Sequence, residues 1–218
     1  MRITTCIILT LLFVSCTPND PYPYISYEPQ GYDGTQDISL MIFLHGAGER
    51  GEDLSKVSVH GPPKLVAEGK DFPCLILSPQ CPENVWWQIP RLEATLDEFL
   101  SSHTIDKKRI YLTGLSMGGY GTWEWARQFP DKFAAIAPIC GGLESGNVEP
   151  LKDIPIWAFH GAKDEVVPLE ESTKVIEAIK ELGGQPQYTI YPEANHDSWT
   201  ATYADSTFYN WFFFQHRQ

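Results

Sequence analysis

Ile110-Tyr111-Leu112-Thr113-Gly114-Leu115-Ser116-Met117-Gly118-Gly119 sets the architecture of this chain. Residues 110–113 have the apolar, β-favouring composition of a buried strand. From 119 to 129, apolar residues recur at three- and four-residue spacing, which predicts an amphipathic helix. Between them lies Gly-x-Ser-x-Gly, whose glycines permit a tight strand-to-helix turn and leave the Ser116 hydroxyl exposed above a sheet. A serine there also sits at a helix N-terminus, where unpaired backbone N–H groups favour negative charge. Ser116 is therefore the candidate nucleophile.

The same rhythm extends in both directions. Residues 38–44, 74–78, 110–113, 134–139, 154–159 and 187–191 read as short apolar strands. Residues 92–100, 119–129 and 169–182 read as helices, the last stopped by Gly183-Gly184. Residues 203–214 are expected to form one aromatic terminal helix packed on the core. Strands alternating with helices predict an α/β fold, a mostly parallel sheet covered on both faces. No long insertion interrupts the pattern, so no large lid domain is expected.

Met1 and Arg2 precede a short apolar run through Val14, too short to span a bilayer at the usual ~20 residues. The run ends at Val14-Ser15-Cys16-Thr17, which resembles the lipobox of bacterial lipoproteins. That resemblance implies a signal peptide over 1–15 and lipidation of Cys16, with plain secretory cleavage as the alternative. Residues 18–29 read as a Pro/Tyr-rich tether or edge segment, so the expected organisation is a tether over 16–30 and one catalytic domain over 31–218. The localisation this implies is export with anchoring to a bacterial membrane, periplasmic or at the cell surface. Cys74, Cys81 and Cys140 remain, with no implied disulfide framework.

At 218 residues, 43% hydrophobic and 20% charged, the composition is that of a folded domain. A net charge of -12 disfavours nucleic acid and anionic surfaces as partners, leaving the lipid anchor as the expected membrane contact. No group of His, Cys and carboxylates has metal-ligand spacing, and neither metal nor cofactor is expected.

A serine hydroxyl needs a base, and of six histidines His196 is the candidate, because it follows the last strand through the turn-forming Pro192-Glu193-Ala194-Asn195. In a parallel sheet that places it beyond the same strand ends as Ser116. The base needs a carboxylate, and Asp164, Glu165 and Asp197 all lie in suitable loops.

Taken together, HGAGERG (45–51), SPQCP (78–82), GLSMGGYGTW (114–123), HGAKDEVVP (160–168) and NHDSW (195–199) resemble a small bacterial carboxylesterase family of the α/β-hydrolase type. Its members are often labelled predicted peptidase or phospholipase/carboxylesterase, and the group adjoins feruloyl and acetyl-xylan esterases and polyhydroxybutyrate depolymerases. The likeness runs from His45 to the C-terminus. It implies the order Ser116, Asp164, His196 for the triad and favours Asp164 over Glu165. The glycine-rich loop resembles the oxyanion loop of esterases and lipases, which implies donors from Ala47 or Gly48 and from Met117. His45 and His160 are expected to be structural neighbours hydrogen-bonded to the site. Trp86, Trp87 and Trp199 are expected to border it, either as an aromatic wall for substrate or as buried anchors. The implied activity is hydrolysis of short-chain or polysaccharide-linked acetyl or feruloyl esters through an acyl-enzyme. The alternatives are a peptidase related to prolyl oligopeptidases and a lipid-anchored binding protein without activity.

Overall fold

The computed structural model describes residues 19–217; the leader and Cys16 lie outside the described residues. Seven strands form one sheet: β1 (Tyr24–Tyr27), β2 (Ile38–Leu44), β3 (Leu75–Pro79), β4 (Ile105–Leu115), β5 (Ala135–Ile139), β6 (Trp157–Gly161) and β7 (Gln187–Tyr191). Their spatial order is β1-β3-β2-β4-β5-β6-β7, with β1 antiparallel to β3 and every other pairing parallel. The helices are α1 (Gly61–Ala67), α2 (Ile89–Ser102), α3 (Met117–Gln128), α4 (Glu170–Glu181), α5 (Trp199–Ala204) and α6 (Ser206–Phe214). This is the α/β-hydrolase arrangement, as the alternating pattern predicts.

Strand periodicity divides the core. In β2, Leu40, Ile42 and Leu44 point to one face and pack with Leu96, Phe99, Trp123 and Ile176 from α2, α3 and α4. Met41 and Phe43 point to the other and pack with Tyr203, Phe208 and Phe212 from α5 and α6. Both faces are buried, so the central strands read as unbroken apolar runs.

Departures from the sequence reading have local causes. Of the two readings of 18–29, tether or edge segment, the fold has the edge: Tyr24–Tyr27 pairs with β3, and Tyr22 is 1% exposed, its N–H donating to Thr95 Oγ1 at 2.8 Å. The domain thus begins ahead of residue 31, because a Pro-rich segment is well suited to an edge strand that needs donors on one side only. Strand β4 starts five residues early, at Ile105, and its polar 106–109 segment coincides with a register shift between Ile38 and Leu40 of β2. Strand β6 begins at Trp157 instead of 154, since Pro155 has no N–H for the ladder. The aromatic terminal helix is two helices, broken at Asp205, whose side chain accepts from Thr207 N at 2.7 Å and caps α6. Helix α1 escapes a pattern search because it opens Gly-Pro-Pro; proline is tolerated in a first turn, where N–H groups are unpaired anyway. Among the described residues, no helix is long and apolar enough to cross a membrane.

The ends of β2 and β4 are locked to the start of α3 by close backbone packing. A Cβ at Gly118 would lie 1.9 Å from the Leu44 carbonyl oxygen, and one at Gly114 would lie 2.4 Å from the Gly118 oxygen. Gly118→Ala is expected to cost about 3 kcal/mol or prevent folding. Gly48→Ala, where nothing lies within 4 Å, is expected to leave stability within about 0.5 kcal/mol of wild type. Urea denaturation of both variants checks the pair.

Candidate active site

Ser116 follows the last residue of β4 and precedes the first of α3, at φ 53° and ψ -117°. A non-glycine residue in that region is strained, and it is held there by its own N–H donating to Ile139 O at 2.9 Å and its carbonyl accepting from Tyr120 N at 3.0 Å. The strain lifts the hydroxyl off the sheet.

His196 leaves β7 through a turn that lies directly on the loop carrying Asp164. A Cβ at Gly161 would come within 2.1 Å of Asn195 O, and Lys163 N donates to Ala194 O at 2.9 Å. These contacts bring together three residues far apart in sequence. His196 Nε2 lies 3.0 Å from Ser116 Oγ, and His196 Nδ1 lies 2.8 Å from Asp164 Oδ2. With a carboxylate facing Nδ1, the hydrogen of the neutral ring belongs there, and Nε2 is left to accept from the serine.

The competing carboxylates are spent or distant from this chain. Glu165 is exposed, and Asp197 accepts from Thr200 N at 3.0 Å and Thr200 Oγ1 at 2.9 Å. The Asp164 side chain is fully buried. Burial pushes its carboxyl up, but the hydrogen bond from His196 and those from Val167 and Val166 N–H, at 2.9 Å each, outweigh it and hold the group below the usual carboxylate range.

The loop from His45 to Arg50 is pinned at several points. Cys81 N donates to His45 Nε2 at 3.0 Å, so His45 carries its hydrogen on Nδ1 and gives it to Gly46 O at 2.6 Å. Gly46 N donates to buried Glu49 at 2.9 Å, and Arg50 Nε donates to Ala47 O at 2.9 Å. Ala47 and Gly48 themselves are exposed, in a 3₁₀ turn beginning beside the elbow, where Gly46 packs on Leu115. Met117 opens α3, so its N–H has no partner within the helix.

The three tryptophans do not form one wall. Trp86 is 54% exposed and meets Tyr120 edge-on, ring centroids 5.7 Å apart. Trp87 is an anchor: it is 8% exposed, packs edge-on against Tyr22 at 5.3 Å and donates from Nε1 to His45 O at 3.3 Å. Both border a cleft of about 350 Å³, together with Met117, Tyr120 and the 142–145 loop. The far end of this cleft holds Arg127, paired in bidentate fashion with Glu124 at 2.6 and 3.0 Å. Burial, reinforced by Glu171, Glu144 and Asp164, pushes the Tyr120 phenol up to about 12, so the surroundings are acidic. Trp199 stands apart from the cleft lining, edge-on to His196 at 5.2 Å and against His60 at 5.3 Å.

Cys140 is a neighbour that sequence spacing does not reveal. Its Sγ lies within 4.8 Å of one ligand atom each from Asp164 and His196. Strand order, not sequence spacing, places the end of β5 beside the β6 and β7 loops. Burial pushes the thiol up to about 12 against a hydrogen bond from Ser116 N–H, keeping it protonated. Cys74, Cys81 and Cys140 are all free thiols.

Sheet order and elbow together define an α/β hydrolase. Residues 82–210 match the Dienelactone hydrolase family, and the chain belongs to that family. The match takes in Ser116, Asp164 and His196 and begins after the 45–50 loop. A bifunctional acetylxylan esterase/xylanase of Neocallimastix patriciarum is 36% identical over 76 residues, which are 35% of this chain and 11% of that protein. A probable feruloyl esterase C of Aspergillus terreus is 24% identical over 152 residues, 67% of this chain and 56% of that one. The solved structure of a thermostable esterase superposes with a TM-score of 0.76 at 37% identity, covering 90% of this chain and 60% of that one. The chain thus spans from about a tenth to about 60% of the length of these proteins.

Burial pushes His45 down to about 4, so the folded state favours its neutral form. A lowered histidine contributes stability that is complete above the unfolded value near 6.5 and disappears as pH falls toward 4, a loss of ~3 kcal/mol. Thermal unfolding between pH 7 and pH 4 is expected to show this decline, and His45→Gln to flatten it.

Proposed function

We propose that this chain is a serine carboxylic-ester hydrolase in which Ser116, His196 and Asp164 form the catalytic triad. The observation that carries the reading is the unbroken hydrogen-bond chain from Ser116 Oγ through both His196 nitrogens to Asp164. Ser116 attacks the ester carbonyl as His196 Nε2 takes its proton, and Asp164 stabilises the imidazolium that results. The N–H of Met117, with that of Ala47 or Gly48, supports the oxyanion. His196 then returns the proton to the departing alcohol, leaving an acyl-enzyme that water cleaves by the same steps in reverse.

The substrates we assign are short-chain or polysaccharide-linked acetyl and feruloyl esters. Three observations favour them: the modest cleft bordered by Trp86 and Tyr120, its acidic setting, which suits uncharged acyl groups, and the esterase names of the matched relatives.

Wild-type protein is expected to hydrolyse p-nitrophenyl acetate and methyl ferulate. Ser116→Ala is expected to lower kcat/KM by roughly 10⁴-fold or more, and Asp164→Asn by about 10³ to 10⁴, with Glu165→Gln near wild type. Turnover surviving in Ser116→Ala overturns the reading.

We further propose that residues 1–15 are a signal peptide and that Cys16 carries a lipid anchoring the exported enzyme to a bacterial membrane, periplasmic or at the cell surface, on the strength of the Val14-Ser15-Cys16 motif. Cys16→Ser is expected to move the protein from the membrane to the soluble fraction. Equal partitioning of the two forms would refute the anchor.

A further inference from the structure

Asp164 must stay fixed while the histidine it serves gains and loses a proton, so His196 alone is a poor clamp for it. The carboxylate's two oxygens are held unequally. Oδ1 is fixed by two backbone N–H groups, those of Val166 and Val167, at 2.9 Å each. Oδ2 faces His196 Nδ1 at 2.8 Å on the solvent side, where the His196 side chain is 20% exposed. On the inner side, His160 Nε2 lies 3.2 Å from the same Oδ2, with both side chains fully buried.

The His160 ring is held from both ends. Nε2 donates to Val167 O at 2.9 Å, and the same edge of the ring faces Oδ2 at the longer distance of 3.2 Å. Nδ1 lies 2.7 Å from the hydroxyl of Ser172 on α4, which also lies 2.6 Å from Gly141 O, so with the ring hydrogen on Nε2 the hydroxyl shares its single hydrogen between Nδ1 and Gly141 O. Gly141 lies directly before the 142–145 loop that walls the cleft. One buried ring therefore joins β6, α4 and the cleft wall to the inner oxygen of the carboxylate.

We infer that His160 is a positioning residue that fixes the inner oxygen of Asp164, and so the His196 ring, by bracing it through Ser172 against the base of the cleft wall. The inference rests on the triad reading and adds to it the source of the triad's rigidity. Without this contact, Oδ2 is free to swing away from His196 about the Oδ1 anchor, and the ring loses its aim at Ser116. A misplacement of about 1 Å at a reacting group costs up to a hundredfold in rate.

Two substitutions separate the two ends of the ring. His160→Gln keeps a donor near the place of Nε2 and drops the link to Ser172; His160→Asn keeps one near the place of Nδ1 and drops the contact with Asp164. His160→Asn is expected to lower kcat on p-nitrophenyl acetate roughly tenfold or more with KM within about twofold, and His160→Gln to stay within about threefold of wild-type kcat. Proton NMR is expected to show the downfield His196 Nδ1 hydrogen in wild type and His160→Gln, and to show it displaced in His160→Asn. The same spectrum taken in a Ser116→Ala background reads the carboxylate geometry independently of turnover, so a failure of the triad reading is distinguishable from a failure of this one. Ser172→Ala, a smaller change for the fold, is expected to lower kcat by about threefold and shift the same resonance. Equal kcat losses in the two His160 variants, or an unmoved resonance in His160→Asn or Ser172→Ala, would overturn the assignment.

Discussion

The geometry of this protein depends on how closely two backbones approach at the top of the sheet. The first turn of α3 rests on the end of β2 with no room for a side chain between Gly118 and the Leu44 carbonyl. That contact forces the chain to reverse at Ser116 in a conformation that a serine does not adopt unaided, and surrounding hydrogen bonds hold it there. It also sets the exit of β2, and with it the loop from His45 to Arg50, against the same turn. Ser116, the proposed nucleophile, and the expected oxyanion donors are thus placed by one packing constraint.

The remainder of the site is an electrostatic arrangement built on the neighbouring strand ends. A buried carboxylate is costly unless its charge is answered. Asp164 is answered by two backbone N–H groups and the His196 imidazole, and its ionised state is favoured despite full burial of the side chain. His45 shows the opposite balance. It is equally buried but has no carboxylate beside its hydrogen-bonded nitrogens, so it settles as a neutral link between the β2 exit and Cys81. Two histidines that look alike in sequence, each followed by glycine, therefore do different work.

The parts legible in the sequence were those governed by short-range rules. Residues 38–44 and 187–191 match their strands from end to end, because runs of β-favouring residues flanked by turn residues leave little freedom. Ser116, Asp164 and His196 each follow a readable strand, and the sheet does bring them into one hydrogen-bonded chain. What escaped depends on long-range contacts. Cys140 approaches Asp164 and His196 only through strand order, and Trp199 packs on His196 and His60 instead of joining Trp86, for reasons no local pattern encodes. The break at Asp205 was marked by an Asp-Ser-Thr capping signal, which the surrounding aromatics obscured.

The edge strand carries a mechanical consequence. Tyr22 lies directly ahead of β1, takes the Gln88 N–H on its hydroxyl at 2.9 Å and stacks its ring edge-on against Trp87, a wall of the cleft. The Tyr22 ring that closes the entry to the edge strand is thus also the backing of a cleft wall, so loosening β1 from β3 loosens Trp87 with it.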